Sequence, residues 1–378
     1  MVVPFFLSMK LPSLLATGVT LVSLSTPIFM SAAVPTVVEE WLSKAPLAPP
    51  LEVPSSAEAW KIQRAGIRKT LVDLLGEMPA RPALSAFKMI GREEKGSYRM
   101  ETFQFDNGAG EIVKGHLFVP NGASAKRKAP AVLYCHWHGG QYDVGKQELL
   151  QTNATPVAPG PALAEAGYVV LGIDAPCFGE RNGRGPDGPL QKGGAGELSA
   201  AKFHLWAGRT LWGMILRDDL CALDYLASRP EVDAGRIGVT GISMGATRSW
   251  WLMALDERLR TAVAVGCMTR YEELIRTGML KAHGIYYFVP GMLKHFDTEA
   301  VIALGAPRPM LFMTGDEDGG SPVSGIRRIG AIVEKVFALY GADVSEKFEN
   351  TIYPGVGHVY LPEMWEKTVF WLDRWLKP

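Results

Sequence analysis

From Pro130 onward the chain carries short, nearly continuous apolar runs: AVLYC, YVVLGID, RIGVTG, TAVAVGC and PMLFMTG. Each is followed by a Gly- or Pro-rich loop and then by a segment with helical spacing of apolar residues. A strand with one wet face alternates apolar and polar residues, whereas an unbroken run fits a strand buried on both faces. Alternation of such runs with helices predicts a mostly parallel sheet with helices packed on each side, the α/β class. Among the helices, LWGMILRDDLCALDYLA sets Trp212, Leu216, Leu220 and Leu223 on one stripe, and MWEKTVFWLDRWL closes the chain. Upstream, YRMETFQF and EIVKGHLFVP have the period of antiparallel strands in an opening meander. Before them, Ser55 and Glu58 form a capping box for a helix carrying Trp60, Ile67, Leu71 and Leu74. No linker-like break interrupts 55–378, so this stretch is expected to be one domain.

The first residues follow another pattern. Lys10 precedes the run LPSLLATGVTLVSLSTPIFM, and SAA at 31–33 supplies the small residues a signal peptidase requires. Residues 1–33 are therefore expected to be an export signal cleaved near Ala33, placing the mature chain in the periplasm or outside the cell. An uncleaved anchor is the alternative. Residues 34–54, with KAPLAPPLEVP, read as a Pro-rich extended linker.

Composition narrows the function classes. With 47% hydrophobic residues in 378, the chain can bury a large core. Lys+Arg and Asp+Glu are both 39, so no basic surface is advertised for nucleic acid, and no stable membrane insertion is expected once the signal is removed. Cys135, Cys177, Cys221 and Cys267 lack CxxC spacing, which points to free buried thiols rather than a metal site.

Candidate chemistry centres on GISMG, residues 241–245. RIGVT reads as a strand and ATRSWWLMAL as a helix, so Ser243 falls on the strand–turn–helix bend of a nucleophile elbow. Gly241 and Gly245 flank it because a tight turn leaves no room for side chains. A serine hydroxyl needs a base and a carboxylate to orient that base. His358, in YPGVGHVY after the last expected strand, and Asp318, in TGDEDGGSP after PMLFMTG, supply them in the order Ser, Asp, His. Asp316 and Glu317 adjoin Asp318, and spacing alone does not choose among them. The amide of Met244 is the first expected oxyanion donor, and the second lies among residues 137–141, where Gly139 and Gly140 let the backbone bend. His136 and His138 have no further ligand-type residues in a metal-binding pattern, so no metal or organic cofactor is expected. Two long stretches, 177–197 and 268–300, fall after expected strands. The second is expected to act as a lid or cap, with Tyr286 and Tyr287 lining the cleft beside Trp137, His138 and Arg181.

Taken in order, HWHGG, GIDAPCFGER, GISMG, APRPMLFMTGDEDGGSP and YPGVGHVY resemble the α/β-hydrolase superfamily over 95–378. The chain is similar to its dienelactone hydrolase-like and acetyl xylan esterase-like bacterial branch. The resemblance implies an α/β-hydrolase fold and hydrolysis of a small-molecule ester through an acyl-enzyme, on short acyl groups such as those of acetylated carbohydrate. It also implies that the acid motif G-x-x-D-x-x-x-P lands on Gly315, Asp318 and Pro322, favouring Asp318. Dienelactone hydrolases use a cysteine where this chain has Ser243, and Ala246 stands where acetyl xylan esterases of the branch usually have glycine. Two alternatives remain open at this point: an amidase or peptidase with the same triad, and a non-catalytic ligand-binding relative.

Overall fold

The computed structural model describes residues 36–377, so the expected signal at 1–33 lies outside the described residues. Nine strands form one sheet: β1 Lys88–Glu94, β2 Tyr98–Asp106, β3 Ile112–Pro120, β4 Ala129–Cys135, β5 Val169–Ile173, β6 Val232–Ile242, β7 Leu259–Val265, β8 Met310–Gly315 and β9 Phe348–Tyr353. Their spatial order is β1-β2-β3-β5-β4-β6-β7-β8-β9. The pairings from β1 to β5 are antiparallel and those from β5 through β9 are parallel, as expected of an α/β-hydrolase fold.

The continuous apolar runs are explained by two cores. Leu133 and Cys135 of β4, Ala262 and Ala264 of β7, and Met310 and Phe312 of β8 enter the core on one face. The residues between them, Val132 and Tyr134, Val263 and Val265, Leu311 and Met313, enter the core on the other. Successive side chains of a strand point to opposite faces, so burial of both faces removes every polar position. Helices Ala57–Leu75, Leu211–Ser228, Met244–Leu255 and Val323–Ala338 cover the first face, and Pro159–Glu165 and Pro362–Leu376 cover the second.

Several expectations are corrected. The cap of helix Ala57–Leu75 is Ser56, whose hydroxyl accepts from the Ala59 amide, not Ser55. The expected linker contains a helix, Thr36–Lys44, ahead of the extended Pro-rich part. β1 was not foreseen, because every residue of KMIGREE is exposed and no apolar alternation marks it. Helix Leu211–Ser228 is buried nearly all round instead of along one stripe, since Arg217, Asp218 and Asp219 are buried too. The Gly-rich stretch 177–197 holds short 3-10 turns and the start of helix Gly193–Trp206. No helix among the described residues is long and apolar enough to cross a membrane.

The end of β4 packs tightly against the turn from β6 into the following helix. A Cβ on Gly245 would lie 1.9 Å from the Cys135 carbonyl oxygen, and one on Gly241 2.2 Å from the same atom. Backbone cannot yield there as a side-chain tip would. Gly245→Ala is expected to destabilise the protein by about 3 kcal/mol or more, at the upper end of overpacking costs, as measured by denaturant unfolding.

Candidate active site

β6 ends at Ile242, and helix Met244–Leu255 begins two residues later, which leaves Ser243 as the whole of the turn. Its backbone is left-handed, φ 59° and ψ −120°, a conformation a non-glycine residue adopts only where the surroundings enforce it. Enforcement is visible on both sides. The Ser243 amide donates to the Val265 carbonyl of β7 at 2.9 Å, and its carbonyl accepts from the Thr247 amide at 3.0 Å. The residue is only 9% exposed, and its Oγ lies 3.8 Å from Cys267 Sγ.

Asp318 follows β8 and His358 follows β9, and their side chains meet with His358 Nδ1 2.7 Å from Asp318 Oδ2. Burial alone would raise the Asp318 carboxyl, but the hydrogen bond and charge of His358 together with the Gly320 amide hold it below the ordinary carboxylate value. Asp316 is engaged elsewhere, accepting from the Gly355 amide at 2.7 Å, so the geometry selects Asp318 as the histidine's partner. Gly266 leaves room for the imidazole. A Cβ there would be 3.2 Å from His358 Cε1. Ser243, Asp318, His358, His138, Gly139 and Gly140 all line one cleft of about 510 Å³. Ser243 Oγ makes no hydrogen bond to His358 among the described contacts, and its recorded side-chain neighbour is the Cys267 thiol. Such bonds are often long in substrate-free hydrolases and tighten in the complex.

The loop after β4 resolves most of its own ambiguity. Trp137 N donates to Glu148 Oε2 at 2.8 Å, Gly140 N to His138 Nδ1 at 3.0 Å, and Gln141 N to the His138 carbonyl at 2.9 Å. Of the candidate amides, those of His138 and Gly139 have no protein acceptor among the described residues. Gly140 lines the cleft, but its amide is occupied, which corrects its assignment as an oxyanion donor. Met244 supplies the first amide of the helix that follows the serine.

Of the expected lining residues, His138 and Tyr286 face the cleft. Three do not. Trp137 packs against the core on the far face of the sheet. Arg181 is 1% exposed and is bound to Glu111, to Asp218 at 2.9 Å and to the Asp174 carbonyl at 3.0 Å. Tyr287 is fully buried, stacked between Tyr271 and His283. The stretch 268–300 does reach the cleft, through Met279, Lys281, Ala282, His283, Gly284 and Tyr286. His136 is buried and neutral, its Nδ1 at 2.7 Å from the Trp137 carbonyl and its Nε2 accepting from the Ala175 amide, and no metal-binding grouping of His, Cys, Asp or Glu exists among the described residues.

Residues that sequence reasoning missed stand behind the site. Arg248 holds Asp219 through two hydrogen bonds, at 2.8 and 2.5 Å, and its remaining nitrogen reaches the His136 carbonyl at 3.3 Å. Glu148 also accepts from the Tyr134 hydroxyl at 2.6 Å. These are scattered charges in the sequence, and only their burial signals a role. Cys267 lies at the cleft itself, and its only sequence signal was the end of an apolar run.

A serine on a strained strand-to-helix turn, with a histidine–carboxylate pair across one cleft at the carboxyl ends of parallel strands, defines an α/β-hydrolase fold and site. The family model described as the Abhydrolase family matches residues 50–321, and the chain belongs to that family. YtaP of Bacillus subtilis, named as a hydrolase, is 35% identical over 83% of this chain and 100% of its own length. Among solved structures, a Bacteroides fragilis protein described as an acetyl xylan esterase superposes with a TM-score of 0.66 at 19% identity, covering 91% of this chain and 90% of that one. A glucuronoyl esterase from Solibacter usitatus gives 0.62 at 18% identity, covering 84% and 94%. At these identities the two structures show the shared fold.

Two outcomes test the electrostatics. Burial pushes the Glu148 carboxyl up to about 7, only partly offset by Tyr134 and the Trp137 amide. The folded state therefore binds more protons than the unfolded chain between about pH 4.3 and 7, and stability is lost as pH rises through that window. Relative to wild type, Glu148→Gln should gain on the order of 2–3 kcal/mol between pH 4.5 and 8 in urea unfolding curves. All four cysteines are buried, and burial pushes the thiols of Cys177, Cys221 and Cys267 up to about 12. A disulfide reagent at pH 8 should react slowly with the native protein and with four thiols after unfolding.

Proposed function

We propose that the protein is an exported serine ester hydrolase that cleaves small acyl esters, including those of carbohydrates, through an acyl-enzyme. The observation that carries this reading is the single cleft shared by Ser243 on its elbow and the His358–Asp318 pair. The names of the related structures, an acetyl xylan esterase and a glucuronoyl esterase, support an ester of a sugar as the substrate. Export rests on the signal-like pattern of residues 1–33.

In the proposed mechanism His358 takes the proton of Ser243 as the oxygen attacks the ester carbonyl. Asp318 keeps the imidazole oriented, with Nδ1–H donated to its carboxylate, and favours the imidazolium that forms. The amides of Met244 and Gly139 receive the oxyanion, each worth about 10²–10³ in rate in comparable sites. His358 then returns the proton to the departing alcohol, and water repeats the sequence on the acyl-enzyme. None of these steps requires a cofactor. The stretch 268–300, which lines the cleft through Met279, residues 281–284 and Tyr286, would set selectivity.

A panel of short acyl aryl esters and acetylated sugars tests the reading. Ser243→Ala should lower kcat by about 10⁴-fold or more, and Asp318→Asn by about 10³–10⁴-fold with the fold retained. A fluorophosphonate should leave one adduct, on Ser243, by peptide mass spectrometry. Turnover that survives Ser243→Ala would place the nucleophile elsewhere.

A further inference from the structure

His138 stands at the cleft wall in an arrangement that simple lining does not require. Its Nδ1 is 3.0 Å from the Gly140 amide, which can only donate. Nδ1 must therefore be an acceptor, and the single proton of the neutral ring sits on Nε2. Nε2 in turn lies 3.0 Å from Glu197 Oε2, an acceptor placed where that proton points. The two contacts specify the same tautomer. The other tautomer would set two N–H groups against each other and leave the carboxylate facing a lone pair.

Glu197 itself is fixed. It is 3% exposed on helix Gly193–Trp206, and the Tyr142 hydroxyl is 3.4 Å from the same Oε2. From the other side, the backbone of the 268–300 stretch closes over it, so that a Cβ on Gly284 would lie 2.7 Å from Oε1. The His138 ring is stacked on Tyr286 with centroids 5.1 Å apart, and Phe178 meets it edge-on, also at 5.1 Å. The imidazole is thus held in plane and in tautomer by three separate segments.

We infer that His138 is a positioning residue: locked by Glu197 as the Nε2–H tautomer, it captures the Gly140 amide and so leaves the amide of cleft-lining Gly139, which has no protein acceptor among the described residues, to serve as the second oxyanion donor. The contact from residue i to the amide of i+2 reproduces an Asx turn, with the ring nitrogen in place of a side-chain carbonyl. An asparagine at 138 can make that turn without help, because its carbonyl oxygen is an acceptor in every state. A phenylalanine fills the space and stacks on Tyr286 but offers no acceptor. The inference rests on the ester-hydrolase reading of the site.

The test compares kcat, KM and the affinity for a trifluoromethyl ketone, which forms a tetrahedral oxyanion adduct, with thermal melts to confirm folding. His138→Phe should lower kcat on the order of 10²-fold, the loss expected for one oxyanion donor, with KM within a few-fold and ketone affinity falling in parallel. His138→Asn should recover most of that loss. Glu197→Leu should resemble His138→Phe alone, yet cost less than about three-fold when added to His138→Asn, because the amide needs no tautomer lock. A folded His138→Phe protein with kcat within about three-fold of wild type would overturn the inference. So would a loss confined to KM, or His138→Asn as impaired as His138→Phe. Ser243→Ala run alongside separates the two readings: retained turnover there removes the ester-hydrolase reading, whereas a dead Ser243→Ala with an active His138→Phe removes only the role of His138.

Discussion

The Cys135 carbonyl oxygen occupies the space where side chains at 241 and 245 would begin, and this backbone-on-backbone contact sets the geometry of everything above it. With glycine at both positions, helix Met244–Leu255 starts directly at the end of β6 and close against β4. The chain must then turn within one residue, and Ser243 takes the left-handed conformation at a cost on the order of 1–3 kcal/mol. Burial beneath the turn offsets it, since Met244, Ala246, Trp250 and Trp251 are wholly enclosed. Strand order completes the arrangement. β6 lies between β4 and β7, so the 136–141 loop flanks the serine on one side and the loops after β7, β8 and β9 flank it on the other.

Behind this edge the polar frame is made of buried charges, and their value is geometric more than energetic. A buried ion pair gains little over an apolar pair of the same shape, while losing one partner strands the other charge at about 3–5 kcal/mol. Arg248 and Asp219 join the helix after the serine to helix Leu211–Ser228 and to the His136 carbonyl, at the root of the proposed oxyanion loop. Lys146 and Asp174, both essentially inaccessible, tie the loop after β4 to the loop after β5 at 2.8 Å. A Cβ on Gly145 or Gly179 would lie 2.2 Å from Asp174 Oδ1, so both glycines make room for that carboxylate. The segment Asp174–Arg181 is scaffold by this reading: none of its residues lines the cleft, and Phe178 supports the His138 ring from behind.

The sequence was informative where one physical demand dominated a segment. Burial on two faces wrote β4, β7 and β8 as unbroken apolar runs, and the steric limits of the elbow wrote glycine at 241 and 245. The acid was legible only through the family motif, which pointed to Asp318: local spacing did not separate it from Asp316, whereas the fold brings Gly355 to one and His358 to the other. Where local pattern carried no demand, sequence reasoning failed. β1 is exposed on both sides, so nothing in KMIGREE marks a strand. Arg181 and Tyr287 looked like cleft residues because charge and aromaticity serve a site and a core equally well, and only burial distinguishes the two. The oxyanion loop shows the same limit, since HWHGG signals flexibility but only the acceptors supplied by Glu148 and His138 decide which amides remain free.

A thiol 3.8 Å from the Ser243 hydroxyl bears on which of the two would act as the proposed nucleophile. Thiols are intrinsically the stronger nucleophiles once ionised, and relatives of this fold exist in which cysteine does the work. Burial, with the Asp318 charge acting in the same direction, pushes the Cys267 thiol up to about 12. That same carboxylate, through its 2.7 Å bond to His358 Nδ1, favours the imidazolium that a departing serine proton would create. One negative charge therefore acts with opposite sign on the two candidates, opposing a thiolate at 267 while assisting proton transfer from 243. Position adds the second discrimination: both residues have a positive φ, but Ser243 immediately precedes helix Met244–Leu255 and its first amides, whereas Cys267 lies in the loop after β7. Charge placement and the position at the helix start together favour oxygen over sulfur in the proposed attack.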